Sequence, residues 1–259
     1  MPERSWDAVA ARGDAAWYLD PLVAAQKRRK HLALLHQWSD AVQVGPILKT
    51  DLFEEANGSD ELLSGFPRGV PIIGMDVAPS AAASARRRAG GGHVQFVATD
   101  ARRLGLASGS IGLVFSNSTL DHFETTDELV GSIAELARVL KPGGTLIVTL
   151  DNPVNPLYGL LRWVCRRGWA PFVLGRTATL GELTDMMRQV GLDVTGSKYL
   201  IHNPRLASTA MFMGLRRMLG RRADGPVRLL LALFERLDRL PTRAYTACFV
   251  AVCGRKAEK

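Results

Sequence analysis

Cysteine is scarce. The three in 259 residues, Cys165, Cys248 and Cys253, form no CxxC pair and join no histidine cluster. No disulfide framework and no zinc site is expected, and the three read as buried, reduced thiols of a cytoplasmic protein. Long apolar runs are missing too. The candidate Leu229-Leu230-Leu231-Ala232-Leu233-Phe234 is far short of the roughly 18 residues that a membrane span needs. The opening Met1-Pro2-Glu3-Arg4-Ser5-Trp6-Asp7 lacks the basic-then-apolar layout of a signal peptide. Internal repeats, low-complexity tracts and a clear domain boundary are also absent. Residues 1–259 therefore read as a single domain, with residues 1–43 as an N-terminal helical extension.

What is present is a core. Apolar residues make up 47% of the chain and charged ones 22%, enough to fold without a covalent or metal staple. The net charge of +8 is unevenly placed: residues 202–259 hold twelve Lys/Arg against four Asp/Glu, so the rest sums to zero. A basic tail on a neutral body is a statement about a surface, which suits nucleic acid, anionic lipid, an acidic substrate or plain solvation.

Residues 1–19 carry no clear pattern. Pro21–Trp38 mixes Leu22, Val23, Leu32, Leu35 and Trp38 with the basic cluster Lys27-Arg28-Arg29-Lys30, which suits an amphipathic helix. Short apolar runs at Val44–Asp51, Pro71–Asp76, Val94–Asp100, Ile111–Ser116 and Thr145–Leu150 read as strands. Helical patterns at Ser59–Phe66, Ser80–Ala89 and Asp127–Leu140 lie between them. The last opens on the capping box Thr125-x-x-Glu128 and stops at Lys141-Pro142-Gly143-Gly144. Such alternation predicts right-handed crossovers and a parallel sheet covered on both faces. Beyond Leu150, helices are expected over Leu157–Arg167 and from Thr179-x-x-Glu182 to Val190. Strands are expected over Leu192–Ile201 and Tyr245–Cys253, with a basic helical insertion at residues 205–240 between them.

Ligands of an open parallel sheet bind beyond the carboxyl ends of its strands, and here those ends are polar. They read Lys49-Thr50-Asp51, Gly74-Met75-Asp76, Thr99-Asp100 and Ser116-Asn117-Ser118-Thr119. Asp76 lies 25 residues after Asp51 and Asp100 another 24 on, about one βα unit each. A carboxylate at the second strand's end is placed to accept from a ribose diol, and one at the third from an adenine amino group.

The ordered set Gly74-Met75-Asp76, Phe96-Val97-Ala98-Thr99-Asp100-Ala101, Leu113-Val114-Phe115-Ser116-Asn117 and Leu136-x-Arg138-Val139-Leu140-Lys141-Pro142-Gly143-Gly144 resembles the class I, Rossmann-like S-adenosylmethionine-dependent methyltransferases. The resemblance runs from about Val44 to Asn152 and more weakly to the carboxyl terminus. It implies a three-layer α/β fold around a seven-stranded, mostly parallel sheet, the last strand antiparallel and inserted beside the fifth. It implies S-adenosylmethionine as cofactor, with Asp76 on the ribose, Val77 lining the adenine, Asp100 and Ala101 at the adenine edge, and Ser116 and Asn117 beside the methionine portion. One departure stands out. The family's GxGxG turn after the first strand is replaced by Ile47-Leu48-Lys49-Thr50-Asp51-Leu52-Phe53-Glu54-Glu55-Ala56-Asn57-Gly58, whose one glycine comes late. A rebuilt turn would have Asp51 or Glu54 accept from the cofactor's amino group and Lys49 or Thr50 meet its carboxylate. Glu55 is placed on the outer side.

His122, just past the fourth strand, is a candidate general base, against the plainer reading of a histidine bonded to neighbouring backbone. Tyr158 and Trp163, in the aromatic and arginine-rich stretch after the fifth strand, are candidates for the wall of an acceptor pocket. The insertion, with Met211, Phe212, Met213, Leu215 and Met218 among arginines, is read as a lid over an apolar acceptor, or else as a helix pair packed on the sheet. A small-molecule or lipid-like acceptor leads, and the basic insertion is also suited to peripheral membrane contact. An RNA methyltransferase and a non-catalytic module that keeps the fold are the alternatives. Against RNA stands the lack of an Asn/Asp-Pro-Pro-aromatic motif, since Asp151-Asn152-Pro153-Val154-Asn155-Pro156 follows the fifth strand rather than the fourth.

Overall fold

The computed structural model describes residues 20–38, 45–58, 60–89, 94–169 and 174–258. The expected strand start at Val44, the helix start at Ser59, and residues 1–19 and 39–43 lie outside them. Seven strands form one sheet: β1 (Ile47–Thr50), β2 (Ile72–Asp76), β3 (Val94–Ala98), β4 (Ile111–Asn117), β5 (Leu140–Asp151), β6 (Leu192–Leu200) and β7 (Phe249–Lys256). Their order is β3-β2-β1-β4-β5-β7-β6. Neighbours from β3 to β5 are parallel, while β7 runs antiparallel between β5 and β6. This is the expected Rossmann-like order, and it reverses between β1 and β4, where such sheets bind ligands.

Every residue of β4 is buried, as a central strand covered on both faces requires. On one face α4 (Thr126–Val139) and α6 (Leu180–Gln189) set Leu129, Ile133, Leu136, Leu183 and Met187 against Leu48, Val114, Val148 and Val252. On the other face lie α1 (Pro21–Trp38), the short α2 (Phe53–Asn57) and α3 (Pro79–Ala89), where Leu35, Ala82 and Ala85 cover Ile47, Ile72, Leu113 and Phe115. Both predicted capping boxes are made: the Thr125 and Thr179 hydroxyls accept from the backbone N–H of Glu128 and Glu182, whose carboxylates accept in return. Beyond β5 come α5 (Pro156–Arg166), then α7 (Arg205–Leu219), α8 (Asp224–Arg236) and a single-turn α9 (Arg243–Thr246). The three cysteines are buried and unpaired with one another.

Three expectations shift. The helix expected over Ser59–Phe66 is α2 instead, closed by Gly58 in the left-handed conformation (φ 74°) and followed by a 3-10 turn at Leu63–Gly65. The Lys141-Pro142-Gly143-Gly144 breaker ends α4 but already belongs to β5, as an irregularity between the pairs Ile111–Leu140 and Leu113–Thr145. The last strand starts at Phe249 rather than Tyr245. The side-chain amides of Asn152 and Asn155 hold the carbonyls of Ala244, Thr246 and Ala247, which keeps that segment in a turn.

The helix α1 is locked by its inward face. His31 is fully buried, edge-on to Phe115 and Phe249 with ring centroids 6.5 and 5.9 Å away. Burial, aided by the charge of Lys27, lowers its pKa to about 3 from 6.5. Above pH 6.5 the imidazole is neutral whether the chain is folded or unfolded. Below that, the unfolded chain takes up a proton that the folded one refuses, so stability is lost as the pH falls from 6.5 toward 3. Urea melts of His31→Leu are expected to lack this component, which amounts to about 1.4 kcal/mol per pH unit. An unchanged pH slope in the variant would refute it.

Candidate active site

The first strand ends in a turn without glycine, and the chain rebuilds it with Asp51. This residue takes the left-handed conformation, φ 65°, that a glycine would supply more cheaply. Its carboxylate accepts from the N–H of Phe53 at 2.6 Å and so opens α2. The N–H of Leu52 donates to Asp76 Oδ2 and that of Ala78 to Asp76 Oδ1, both at 2.8 Å. Asp76 therefore clasps the first turn to the end of β2 while its carboxylate stays partly exposed, beside the 45% exposed Val77.

Beneath the turn lies an ion network. Lys49 is fully buried, its ammonium 2.8 Å from Glu55 Oε2 and 3.7 Å from Glu54 Oε2. Lys27 of α1 reaches Glu54 Oε1 and Asp60 Oδ2, each at 3.0 Å. Burial works against the charge on Lys49, but the carboxylates of Glu55 and Glu54 more than offset it and raise its pKa. Burial also opposes ionisation of Glu54, yet Lys27 and Lys49 bring it down to about 2. Its Oε2 nevertheless has no hydrogen-bond partner. Burial raises Asp51 and Asp76, and the charge of Glu54 adds to both shifts.

The strand-end residues thus divide. Asp51, Glu54, Asp76 and Val77 border the turn. Thr50, Ser116 and Asn117 are closed inside, spent on one another and on Thr119, Thr149 and Glu54. Lys49 likewise spends its ammonium on Glu55 and on the carbonyl of Asp51, so it is not turned out toward a ligand carboxylate. Glu55, expected on the outer side, is buried, because Lys49 and the N–H of Leu62 need its two oxygens. Asp100 is clamped by the guanidinium of Arg102, which holds its carboxyl low against burial, and Ala101 is buried next to it. For S-adenosylmethionine the fit rests on Asp76, which keeps lone pairs beside an exposed apolar residue; Glu54 is buried, with its Oε2 3.7 Å from the Lys49 ammonium.

A second cluster lies across the ends of β4, β5 and β7, and strand-end reasoning stopped one strand short of it. Asp151 closes β5 as Asp76 closes β2. Its N–H donates to Asp121 Oδ2 at 2.8 Å, its carbonyl accepts from the Thr177 hydroxyl, and its Oδ1 meets Arg205 Nη1 at 2.8 Å. Arg205 opens α7 and stacks over Phe249, 4.2 Å from the ring centre. Burial lifts the Asp151 carboxyl to about 6; Arg205 opposes the rise and Asp121 adds to it. Burial and the charge of Asp151 raise the Tyr158 hydroxyl. Asp121 is 1% exposed, and its Oδ1 has no hydrogen-bond partner. His122 follows it in the chain. A strap over 174–177 closes onto this loop. Gly175 donates to the Asp121 carbonyl at 2.7 Å, and a Cβ there would lie 2.1 Å from the Phe123 oxygen, so only glycine fits.

A pocket between α5 and the start of α7 is lined by Leu157, Tyr158, Leu161, Cys248, Asn152 and Arg205. Tyr158 faces it, whereas Trp163 stands on an outward face of α5, edge-on to Trp169 at 5.2 Å. Only the first residue of the insertion reaches this pocket. Phe212, Val227 and Leu231 pack instead on Leu22 and Val23 of α1, neither over the site nor on the sheet. Among the described residues no group of His, Cys, Asp and Glu is placed to hold a metal ion.

Residues 56–148 match the family model described as a methyltransferase domain. No curated protein sequence matches the chain. Among solved structures, an S-adenosylmethionine-dependent methyltransferase from Mesorhizobium loti is 17% identical with a TM-score of 0.56, over 86% of this chain and 96% of its own. Phosphoethanolamine N-methyltransferase 2 of Haemonchus contortus, in complex with S-adenosyl-L-methionine, is 16% identical with a TM-score of 0.61. The match covers 99% of this chain but only 61% of that longer one. The [4+2]-cyclase SpnF is 19% identical with a TM-score of 0.55, over 88% and 80%. A cyclase among these neighbours means that the sheet alone does not set the reaction.

The ion network carries its own test. Glu55→Gln is expected to destabilise the protein by about 3 kcal/mol or more, since it leaves Lys49 buried against one distant carboxylate. A urea midpoint equal to the wild type's would show Glu55 to be as dispensable as a surface residue.

Proposed function

We propose that this protein is an S-adenosylmethionine-dependent methyltransferase with an apolar small-molecule or lipid-like acceptor, a reading supported by the methyltransferase-domain match and the fold. The observation that supports the acceptor is the pocket between α5 and α7, lined by the apolar Leu157, Leu161 and Cys248 together with the polar Asn152, Asn155 and Arg205. S-adenosylmethionine, when bound, supplies a methyl group on an electrophilic sulfonium. Asp76 would hold the ribose diol, with Val77 against the adenine, and Asp51 or Glu54 would accept from the cofactor's ammonium group. Thr50, Ser116 and Asn117 act from beneath, by keeping the turn in place.

On the acceptor side Asp151 is the proton acceptor, oriented by Arg205, with Asp121 and His122 completing the cluster. A carboxyl at about pH 6 is mostly ionised at neutral pH yet still basic enough to take a proton from a hydroxyl or ammonium poised for attack. Holding the nucleophile in line supplies much of the rate by itself. A nitrogen acceptor is the second reading, favoured by two buried carboxylates beside a single arginine, a balance that suits a protonated amine.

Asp76→Ala is expected to weaken S-adenosylmethionine by about 1.5–3 kcal/mol, the worth of a charge-assisted hydrogen bond. Titration calorimetry checks this, and absence of heat with the wild type would remove the cofactor site from this turn. With methyl-labelled S-adenosylmethionine and a cell extract, label is expected in the organic-soluble fraction. Label confined to the aqueous fraction would overturn the apolar acceptor. With the labelled product in hand, the wild-type rate is expected to rise through pH 6 and then level off. Asp151→Asn should lose that limb and fall on the order of 10²–10⁴-fold in kcat, with cofactor affinity unchanged. An intact limb in the variant would return the base role to His122.

A further inference from the structure

The apolar surface of this protein is concentrated in one part of the chain. Of the 14 large hydrophobic side chains exposed among the described residues, all but Val77 and Val97 lie between Leu157 and Tyr245. The helix α5 carries the most orderly set. Leu157, Leu160 and Trp163 recur at a three-residue spacing and are 38%, 49% and 44% exposed, while Leu161 and Cys165 face inward. Trp169, 65% exposed, stands edge-on to Trp163, and the guanidinium of Arg167 lies 5.2 Å over the Trp163 ring. From Asn152 to Gly181 the chain has four arginines, Arg162, Arg166, Arg167 and Arg176, and no carboxylate. The neighbouring α7 repeats the mixture, with Met218 82% exposed among further arginines, and α8, packed on α1, carries Leu229 at 63%.

We infer that α5, supported by α7, docks the protein on an anionic lipid surface. Exposed leucine and tryptophan enter the boundary between head groups and acyl chains, and arginines beside them meet lipid phosphates. Charge decides against the other occupants. A second copy of the same face would set arginine against arginine. Nucleic acid would satisfy the arginines but leave Leu157, Leu160 and the two tryptophans without an apolar partner. Among the described residues no helix is long and apolar enough to cross a membrane, so the contact is a peripheral one. Leu157 and Leu161 also line the pocket described above, so docking through α5 brings the pocket mouth to the bilayer surface. The docking does not depend on the acceptor: a water-soluble acceptor would leave vesicle binding as it is.

Flotation with vesicles tests this directly. The full chain is expected to float with vesicles of phosphatidylcholine and phosphatidylglycerol in equal parts, to stay behind with phosphatidylcholine alone, and to be released by high salt. Leu160→Glu is expected to weaken binding at least about tenfold, and Arg162→Glu/Arg166→Glu comparably. All three positions are exposed, and thermal melts matching the wild type confirm the fold. Failure to float with the mixed vesicles overturns the inference. So does flotation that survives both variants with the fold intact. Single-stranded RNA bound more tightly than the vesicles, and lost in the same variants, would assign the surface to nucleic acid and overturn it as well.

Discussion

The turn after the first strand depends on two lysines placed among carboxylates. Lys49 and Lys27 reach Glu54, Glu55 and Asp60 from opposite sides, one from inside β1 and the other from α1. A glycine-rich turn is held by backbone shape, whereas this turn is held by charge. Buried ion pairs contribute little net stability when complete, but removing one member is costly, so such a network fixes one arrangement more than it stabilises it. It also fixes α1. The basic cluster on that helix, which looks like a surface for a partner, is used internally: Lys27 joins the network, Arg28 reaches Glu61 and Ser64, and Lys30 pairs with Glu235 of α8.

The carboxyl edge of the sheet is where the backbone is bent hardest. Among the described residues the three non-glycine positions with positive φ are Asp51, Ser118 and Ile201, at the ends of β1, β4 and β6. A left-handed β-branched residue such as Ile201 is a true outlier, and strain of this kind persists only where surrounding contacts over-determine it. At Ile201 the carbonyl is held by the N–H of Cys248, and His202 next to it bonds Thr246. At Asp51 the hold comes from Asp76 and the lysine network. The edge is thereby divided into two acidic pockets of charge, Asp51–Glu54–Asp76 over β1 and β2 and Asp121–Asp151 over β4 and β5. A methyl donor and an acceptor would approach one another between them.

Much of this was legible from residue order. The alternation of apolar runs and helical patterns led to a parallel sheet covered on both faces, because those features depend on local propensity and period; the seven strands and the antiparallel last one were implied by the resemblance that the motifs around Asp76 and Asp100 carry. The role of Asp100 was not legible, since its clamp by Arg102 two residues on is a rotamer choice that spacing does not reveal. Glu55 was misplaced for a related reason: adjacent residues of a one-turn helix were assigned opposite sides, while both turn inward to share Lys49. Asp151 was readable by the same strand-end logic as Asp76. Its partner Arg205, 54 positions away, was not.

By itself the sequence determined the alternation of strands and helices, and with it a sheet covered on both faces, and the loss of glycine at the first turn, all properties of residues near one another in the chain. Only the tertiary structure decided what replaced that glycine and where the basic insertion went. Those outcomes depend on which charges are buried together: Lys27 with Glu54, Glu235 with Lys30, Arg205 with Asp151. Pairing across such distances is set by how the helices pack on the sheet. The residues can state their charges, but only the packed fold chooses their partners.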